Sequence, residues 1–150
     1  MNNIAVFPGS FDPFTKGHED IVRRSLQLFD KVIIAIGHNS QKSRYFEIDF
    51  MVEKIDACFA ETKNVEIRVF TGLTAEFAKE CGANFLIRGL RNTTDFEYEN
   101  SISQANKYLY KDLETVFMIT SPHLAYISSS LIRDIHKYNG DVSGFLPYEL

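Results

Sequence analysis

The chain is poor in cysteine: Cys58 and Cys81 are the only two in 150 residues, and they form no CxxC. Both fall in helix-like segments among apolar residues. They read as two reduced thiols packed in or near the core, not as a redox pair or a nucleophile. No cluster of Asp, His or Cys has the spacing of a fixed metal site, so no protein metal centre is expected. Positive charge is also scarce. Sixteen Lys and Arg against twenty Asp and Glu leave a net charge of −4, which goes against a general nucleic-acid binder but leaves room for a local basic pocket. No apolar run approaches membrane-spanning length, and Met1-Asn2-Asn3 lead directly into a strand pattern with no leader. A cytoplasmic chain with no membrane and no nucleic-acid partner is expected. Neither G-x-x-x-x-G-K-[ST] nor G-x-G-x-x-G occurs, so any nucleotide is held by a different device. Repeats, low-complexity tracts and linkers are missing too, which predicts a single domain over 1–150.

What is present is an ordinary globular composition with a strict alternation of patterns. Hydrophobic residues make up 45%, enough to bury a core without disulfides. Ile4 to Phe7 is an apolar run too short for a helix. From His18, the residues Ile21, Val22, Ser25, Leu26 and Phe29 share a helical face. Val32 to Ile36 is a continuous β-branched-rich run, typical of a strand buried on both faces. Ile48, Met51, Val52, Ile55, Cys58 and Phe59 step by three and four. Val65, Ile67 and Val69 alternate with Glu66 and Arg68. Thr74 to Cys81 reads as a helix stopped by Gly82. Asn84 to Ile87 predicts a fourth strand, and Thr94 to Tyr110 a helix with Phe96, Ile102, Ala105 and Leu109 inward. Thr115 to Ile119 is a fifth strand. Ser129 to Tyr138 is a last helix, with Leu131, Ile132 and Ile135 inward. Five strands alternating with five helices predict an α/β fold: a five-stranded parallel sheet with helices on both faces and right-handed crossovers.

In such sheets ligands bind outside the carboxyl ends of the strands. After the first strand comes Gly9-Ser10-Phe11-Asp12-Pro13, with Gly17-His18 at the next helix start. Small residues and a helix N-terminus suit an anion. His18, read alone, serves equally as a cap or as a ligand-facing group. After the second strand come Lys42 and Arg44, and after the third Thr71-Gly72-Leu73-Thr74. After the fourth come Arg88-Gly89-Leu90-Arg91, whose guanidinium forks match phosphate oxygens. Asp95 and Glu99 follow on one helical face and could bond a ribose or orient the arginines. After the fifth come Ser128-Ser129-Ser130, more hydroxyls than a cap requires. No serine or cysteine has a triad partner. The residues imply phosphoryl or nucleotidyl chemistry by positioning and charge stabilisation, and they name no substrate.

"GSFDPFTKGH" (Gly9 to His18) resembles the T/HxGH signature of the nucleotidyltransferase α/β-phosphodiesterase superfamily. "LIRGLRNTTDFEYE" (Leu86 to Glu99) with "YISSSLIRDI" (Tyr126 to Ile135) closely resembles its phosphopantetheine adenylyltransferase family, over essentially the whole chain. The resemblance implies a Rossmann-like dinucleotide-binding domain assembled as a homohexamer. It implies adenylyl transfer from ATP, with Mg2+, to 4′-phosphopantetheine, giving dephospho-coenzyme A and pyrophosphate by direct in-line attack. Carried over by position, His18, Lys42 and Arg91 would be catalytic. Ser10, Phe11, His18, Gly89, Leu90, Arg91, Glu99, Leu124, Ala125, Tyr126, Ile127, Ser128, Ser129 and Ser130 would bind ATP. Ser10, Lys42, Thr74 and Arg88 would bind 4′-phosphopantetheine. Ser10 stands where the family usually has Thr, and keeps the hydroxyl. "FEIDFMVEKI" lacks the usual Glu-Glu-Arg after the lysine loop, so ion pairing there must differ. Asp134 replaces a common Glu, and a final helix is expected to be short or absent. Lys107, His123 and His136 read as surface or packing residues. Two alternatives share parts of the pattern. A nicotinate-mononucleotide adenylyltransferase or glycerol-phosphate cytidylyltransferase has a different motif near the last helix. A nucleotide sensor has no need of His18, Lys42 and Arg91.

Overall fold

In the computed structural model, which describes residues 2–150, the strands are β1 (Ile4–Gly9), β2 (Lys31–Gly37), β3 (Val65–Phe70), β4 (Phe85–Leu90) and β5 (Glu114–Ile119). They alternate with helices α1 (Lys16–Ser25), α2 (Ile48–Cys58), α3 (Thr74–Glu80), α4 (Thr93–Leu109) and α5 (Ser129–Lys137). All strand pairs are parallel, in the order β3-β2-β1-β4-β5. Successive side chains of a strand face opposite sides, so each strand feeds two cores. Ala5, Phe7, Val32, Ile34 and Ile36 pack against α1 and α2 through Val22, Met51 and Ile55. Val6, Ile33 and Ala35 pack on the other face against Ala75, Phe77 and Ala78 of α3. A third cluster joins α5 to the chain after it through Ile132, Val142 and Leu146. Beyond α5 the chain makes a short 3-10 turn, Ser143–Phe145, and no α-helix.

Two strands run longer than their apolar cores suggest, and the extensions shape the site. β1 continues through Pro8 and Gly9, which pair with Ala35 and Ile36. On its other side β1 pairs with β4 only at Ala5 and Val6. Beyond Val6 the two strands part, at the point where the chain order reverses across the sheet. The missing N–H of Pro8 therefore costs no ladder bond there, and the Pro8 carbonyl instead accepts from Arg88 Nη1. β4 likewise extends through Arg88, Gly89 and Leu90, so both Arg88 and Gly89 belong to the strand rather than to the loop after it. Gly89 is where α1 crosses closely: a β-carbon there would lie 3.4 Å from Ile21.

α4 departs from its expected packing. Phe96 is 46% exposed and Leu109 44%, Ala105 is exposed and Ile102 half-buried; Glu99 is the buried residue of this helix. The inward face of α4 carries the ion pair of Glu99 with Arg88 and, of the residues expected there, only Ile102, which lines a cavity; Phe96, Ala105 and Leu109 are left on the surface.

The turn after β1 is built on aromatic rings. Phe11 is 3% exposed, with its ring edge-on to Phe7 and Phe14, both at 5.3 Å between centroids. It has φ +47°, in the left-handed region that disfavours side chains. Its ring lies over Gly9, where a β-carbon would fall 3.0–3.2 Å from three ring carbons. Gly9→Ala is expected to lower stability by about 1–3 kcal/mol through this overpacking. Thermal denaturation checks it, and a melting temperature equal to the parent's contradicts it.

Candidate active site

Where β1 and β4 part, the carboxyl edge of the sheet opens into two cavities. The larger, about 350 Å³, is lined by the post-β1 turn (Ser10, Phe11), the start of α1 (His18), the end of β4 (Arg88, Gly89) and Arg91 just after it, Glu99, and Leu124, Ile127 and Ser128–Ser130. The smaller, about 230 Å³, is lined by Thr74 together with Gly37, Phe70 and the inner side of α4. Pro8, Gly9, Arg88 and Glu99 line both, so the cavities share one wall.

Thr15 caps α1, accepting from the His18 N–H at 3.3 Å. In return the Thr15 N–H donates to His18 Nδ1 at 2.9 Å. A backbone N–H can only donate, so Nδ1 is the unprotonated nitrogen and the neutral ring carries its proton on Nε2. Nε2 has no partner among the described residues, and the ring lines the larger cavity. Cap and cavity-facing group are thus the same residue, using different nitrogens. Burial against Phe11 and Phe14, followed by the nearby Arg88 and Arg91, pushes the His18 pKa down to about 3. The ring is a neutral donor at physiological pH.

The cations are held in fixed poses by carboxylates. Arg88 binds Glu99 through two hydrogen bonds, 2.8 and 2.6 Å. Arg91 makes two side-chain bonds to Asp95, 3.0 and 3.2 Å, and its own N–H donates to the same carboxylate. Burial pushes the Asp95 pKa up, but these bonds and the Arg91 charge outweigh it and hold the carboxyl below its ordinary value. Each guanidinium keeps unused N–H donors while its rotamer is fixed.

The three serines divide the work. Ser128 is the α5 cap, accepting from Leu131 N–H at 3.1 Å. Ser129 donates to the Pro13 carbonyl at 2.7 Å, and Ser130 accepts from Arg133 at 3.2 Å. Ser129 spends its proton on Pro13, whereas the Ser128 and Ser130 hydroxyls act as acceptors and keep their own protons to donate. The first backbone amides of this helix, which have no carbonyl four residues back, are further donors.

Some expected residues stand apart. Leu90 is buried in the sheet, Ala125 is half-buried and Tyr126 is exposed, and none of the three lines the cavity. Lys42 is exposed on the β2–α2 loop and lines neither cavity. Asp134 is exposed on α5, His123 is exposed, Lys107 pairs with Glu114, and His136 Nδ1 lies 2.7 Å from Tyr45 Oη. Cys58 and Cys81 are half-buried, and burial pushes both thiols up, Cys58 to about 11. Sequence reasoning missed Arg133, which lines the larger cavity and donates to the Asp12 carbonyl at 2.6 Å. Its spacing of three from Ser130 was the available signal. Asp12 was also missed; its carboxylate accepts the Tyr45 and Phe46 amides at 2.9 and 2.8 Å.

A cytidylyltransferase-like family model matches residues 6–135. A Cytophaga hutchinsonii protein named phosphopantetheine adenylyltransferase is 83% identical over all of both chains. One of the same name from Clostridium perfringens is 45% identical, over 98% of this chain and 90% of its own. Among solved structures, a bifunctional NMN adenylyltransferase/ADP ribose pyrophosphatase from Francisella tularensis superposes with TM-score 0.74 at 18% identity. That match covers 98% of this chain and 45% of the other, a likeness of fold.

The His18 tautomer is directly measurable. Its folded pKa lies below the unfolded value of about 6.5. The unfolded chain therefore binds the extra proton first. The stability that His18 contributes is full above pH 6.5 and is lost as pH falls toward 3. Nitrogen-15 NMR of the histidine side chains is expected to show His18 as the Nε2–H tautomer, unchanged from pH 8 to about 5. Titration near the ordinary histidine value contradicts this geometry.

Proposed function

Since the chain belongs to the phosphopantetheine adenylyltransferase family, we propose that the larger cavity holds ATP and the smaller holds 4′-phosphopantetheine, with their phosphates meeting at the shared wall. The observation that carries this is the wall itself: Pro8, Gly9, Arg88 and Glu99 border both cavities, with His18 beside them. A phosphate oxygen of the acceptor attacks the α-phosphorus of ATP in line. The bond to the β,γ-pyrophosphate breaks, leaving dephospho-coenzyme A and pyrophosphate with no covalent enzyme intermediate. Negative charge grows on the equatorial oxygens, and a neutral Nε2–H donor held in a fixed orientation stabilises it without reorganisation. A neutral donor also spares the attacking phosphate a competing proton transfer. Arg91 and the free amides at the start of α5 bind the outer phosphates, and Glu99 holds Arg88 between the two substrates. Ser10 reaches both from the turn. Thr74 lines the acceptor cavity, and Lys42 closes over the acceptor phosphate from its loop.

No group of three or more His, Cys, Asp or Glu able to hold a metal occurs among the described residues. Asp95 and Glu99 are committed to arginines. This donor set fits a Mg2+ that arrives on the triphosphate, with the Ser10 hydroxyl as an uncommitted protein oxygen. Bound there, Mg2+ supplies neutralisation of the charge on the departing pyrophosphate. The exposed apolar residues of α4, Phe96 and Leu109, with Ile119 of β5, support self-association, and the family resemblance makes the proposed assembly a homohexamer. That no helix is long and apolar enough to cross a membrane is consistent with a cytoplasmic enzyme whose one nucleotidyltransferase domain spans residues 1–150.

Pyrophosphate release from ATP is expected with 4′-phosphopantetheine and not with nicotinate mononucleotide or glycerol phosphate. Release with another acceptor, or with none, refutes the assignment. His18→Ala is expected to lower kcat by roughly a thousandfold while ATP affinity changes much less, the pattern of a contact made in the transition state. Near-parental turnover in that variant removes His18 from the mechanism.

A further inference from the structure

Arg44 sits behind the post-β1 turn, outside both cavities. Its guanidinium donates to three backbone carbonyls: Ser10 at 2.6 Å, Phe11 at 3.1 Å and Phe46 at 2.9 Å. The side chain is 13% exposed and lies 3.9 Å from the Asp12 carboxylate. In a trans peptide the C=O and the following N–H point in opposite directions. With the Ser10 carbonyl drawn out to Arg44, the N–H of Phe11 faces away from Arg44, on the side where Ser10 and Phe11 line the larger cavity.

That orientation is not the relaxed one. Rotating the Ser10–Phe11 peptide by about half a turn changes ψ of Ser10 and φ of Phe11 together. It would carry Phe11 from +47° into the favoured negative region. The same rotation would aim the carbonyl oxygen at the phosphate position. The peptide therefore has an intrinsic preference for the pose that repels substrate. A planar fork with three donors can oppose it, whereas an ammonium presents no such fork. We propose that Arg44 is a positioning residue: it fixes the Ser10–Phe11 peptide so that the Phe11 N–H is presented to a substrate phosphate. The Asp12 carboxylate, which takes the Tyr45 and Phe46 amides, holds the stretch carrying Arg44 against the turn from the other side.

The inference rests on reading the larger cavity as a phosphate site, and its test separates the two. Nitrogen-15-labelled parent, Arg44→Ala and Arg44→Lys are titrated with inorganic pyrophosphate, and the three are assayed for turnover. In the parent the Phe11 amide proton moves downfield on binding. In both variants that shift is lost while the Ser129 and Ser130 amides still respond. kcat falls about 10- to 100-fold, as for a small misplacement of a reacting group, with the KM for ATP changed less than about threefold. Arg44→Lys keeps the charge and decides the matter if Arg44→Ala fails to fold. A Phe11 amide that does not respond in the parent overturns the proposal. So does one that responds equally in the variants, or a kcat within about twofold of the parent. If the parent releases no pyrophosphate with 4′-phosphopantetheine, the functional reading falls while the Phe11 amide still decides the role of Arg44.

Discussion

The hydrogen bond from the Thr15 N–H to His18 Nδ1 closes the first turn of α1 and settles which nitrogen of His18 carries the proton. In a capping box the third helical residue is usually Glu or Gln, which returns the favour to the cap through a flexible side chain. An imidazole in that place has a second nitrogen on the far side of the ring. Helix geometry therefore orients a hydrogen-bond donor, and the Phe11 and Phe14 rings packed on the imidazole fix its plane. Protonation is opposed twice over: it desolvates a charge, and it sets an Nδ1–H against the Thr15 N–H.

Charge in the site follows the same economy of movement. Arg88 and Arg91 are each anchored by a carboxylate from α4, so β4 and the residue just past it supply the cations and the helix supplies their orientation. Glu99 is the buried residue of that helix. A buried carboxylate is tolerable only with a partner, and its partner is the strand residue that also reaches the Pro8 carbonyl. One ion pair thus ties α4, β4 and the end of β1 together at the place where β1 and β4 separate.

The sheet was legible because its signals are local. Val32 to Ile36 cannot be exposed on either side, and Gly82 stops a helix whatever surrounds it. The set of strand-end residues was legible through one rule about parallel sheets. What was not legible depends on contacts across the chain. Arg44 and Arg133 bond to backbone carbonyls, and a carbonyl leaves no mark in sequence. The serine run announced a helix start, but not that each hydroxyl has a different partner. The expected inner face of α4 followed apolar periodicity, while Glu99 is the residue buried there; Ile102 does turn inward, and Phe96, Ala105 and Leu109 are left outward. The strand ends were drawn short because Pro8, Gly9 and Arg88 do not look like strand residues; here they mark where pairing gives way to a cavity.

The clamps on the post-β1 turn come from far along the chain. Ser129 reaches Pro13 and Arg133 reaches Asp12 across separations of 116 and 121 residues. During synthesis the turn leaves the ribosome first and its last fastenings leave nearly last. Strands β1 to β3 can pair and pack while the chain is still growing, since their contacts are close in sequence. The wall of the larger cavity cannot, because α5 does not yet exist. The order of synthesis thus leaves the post-β1 turn without these fastenings until α5 has been made.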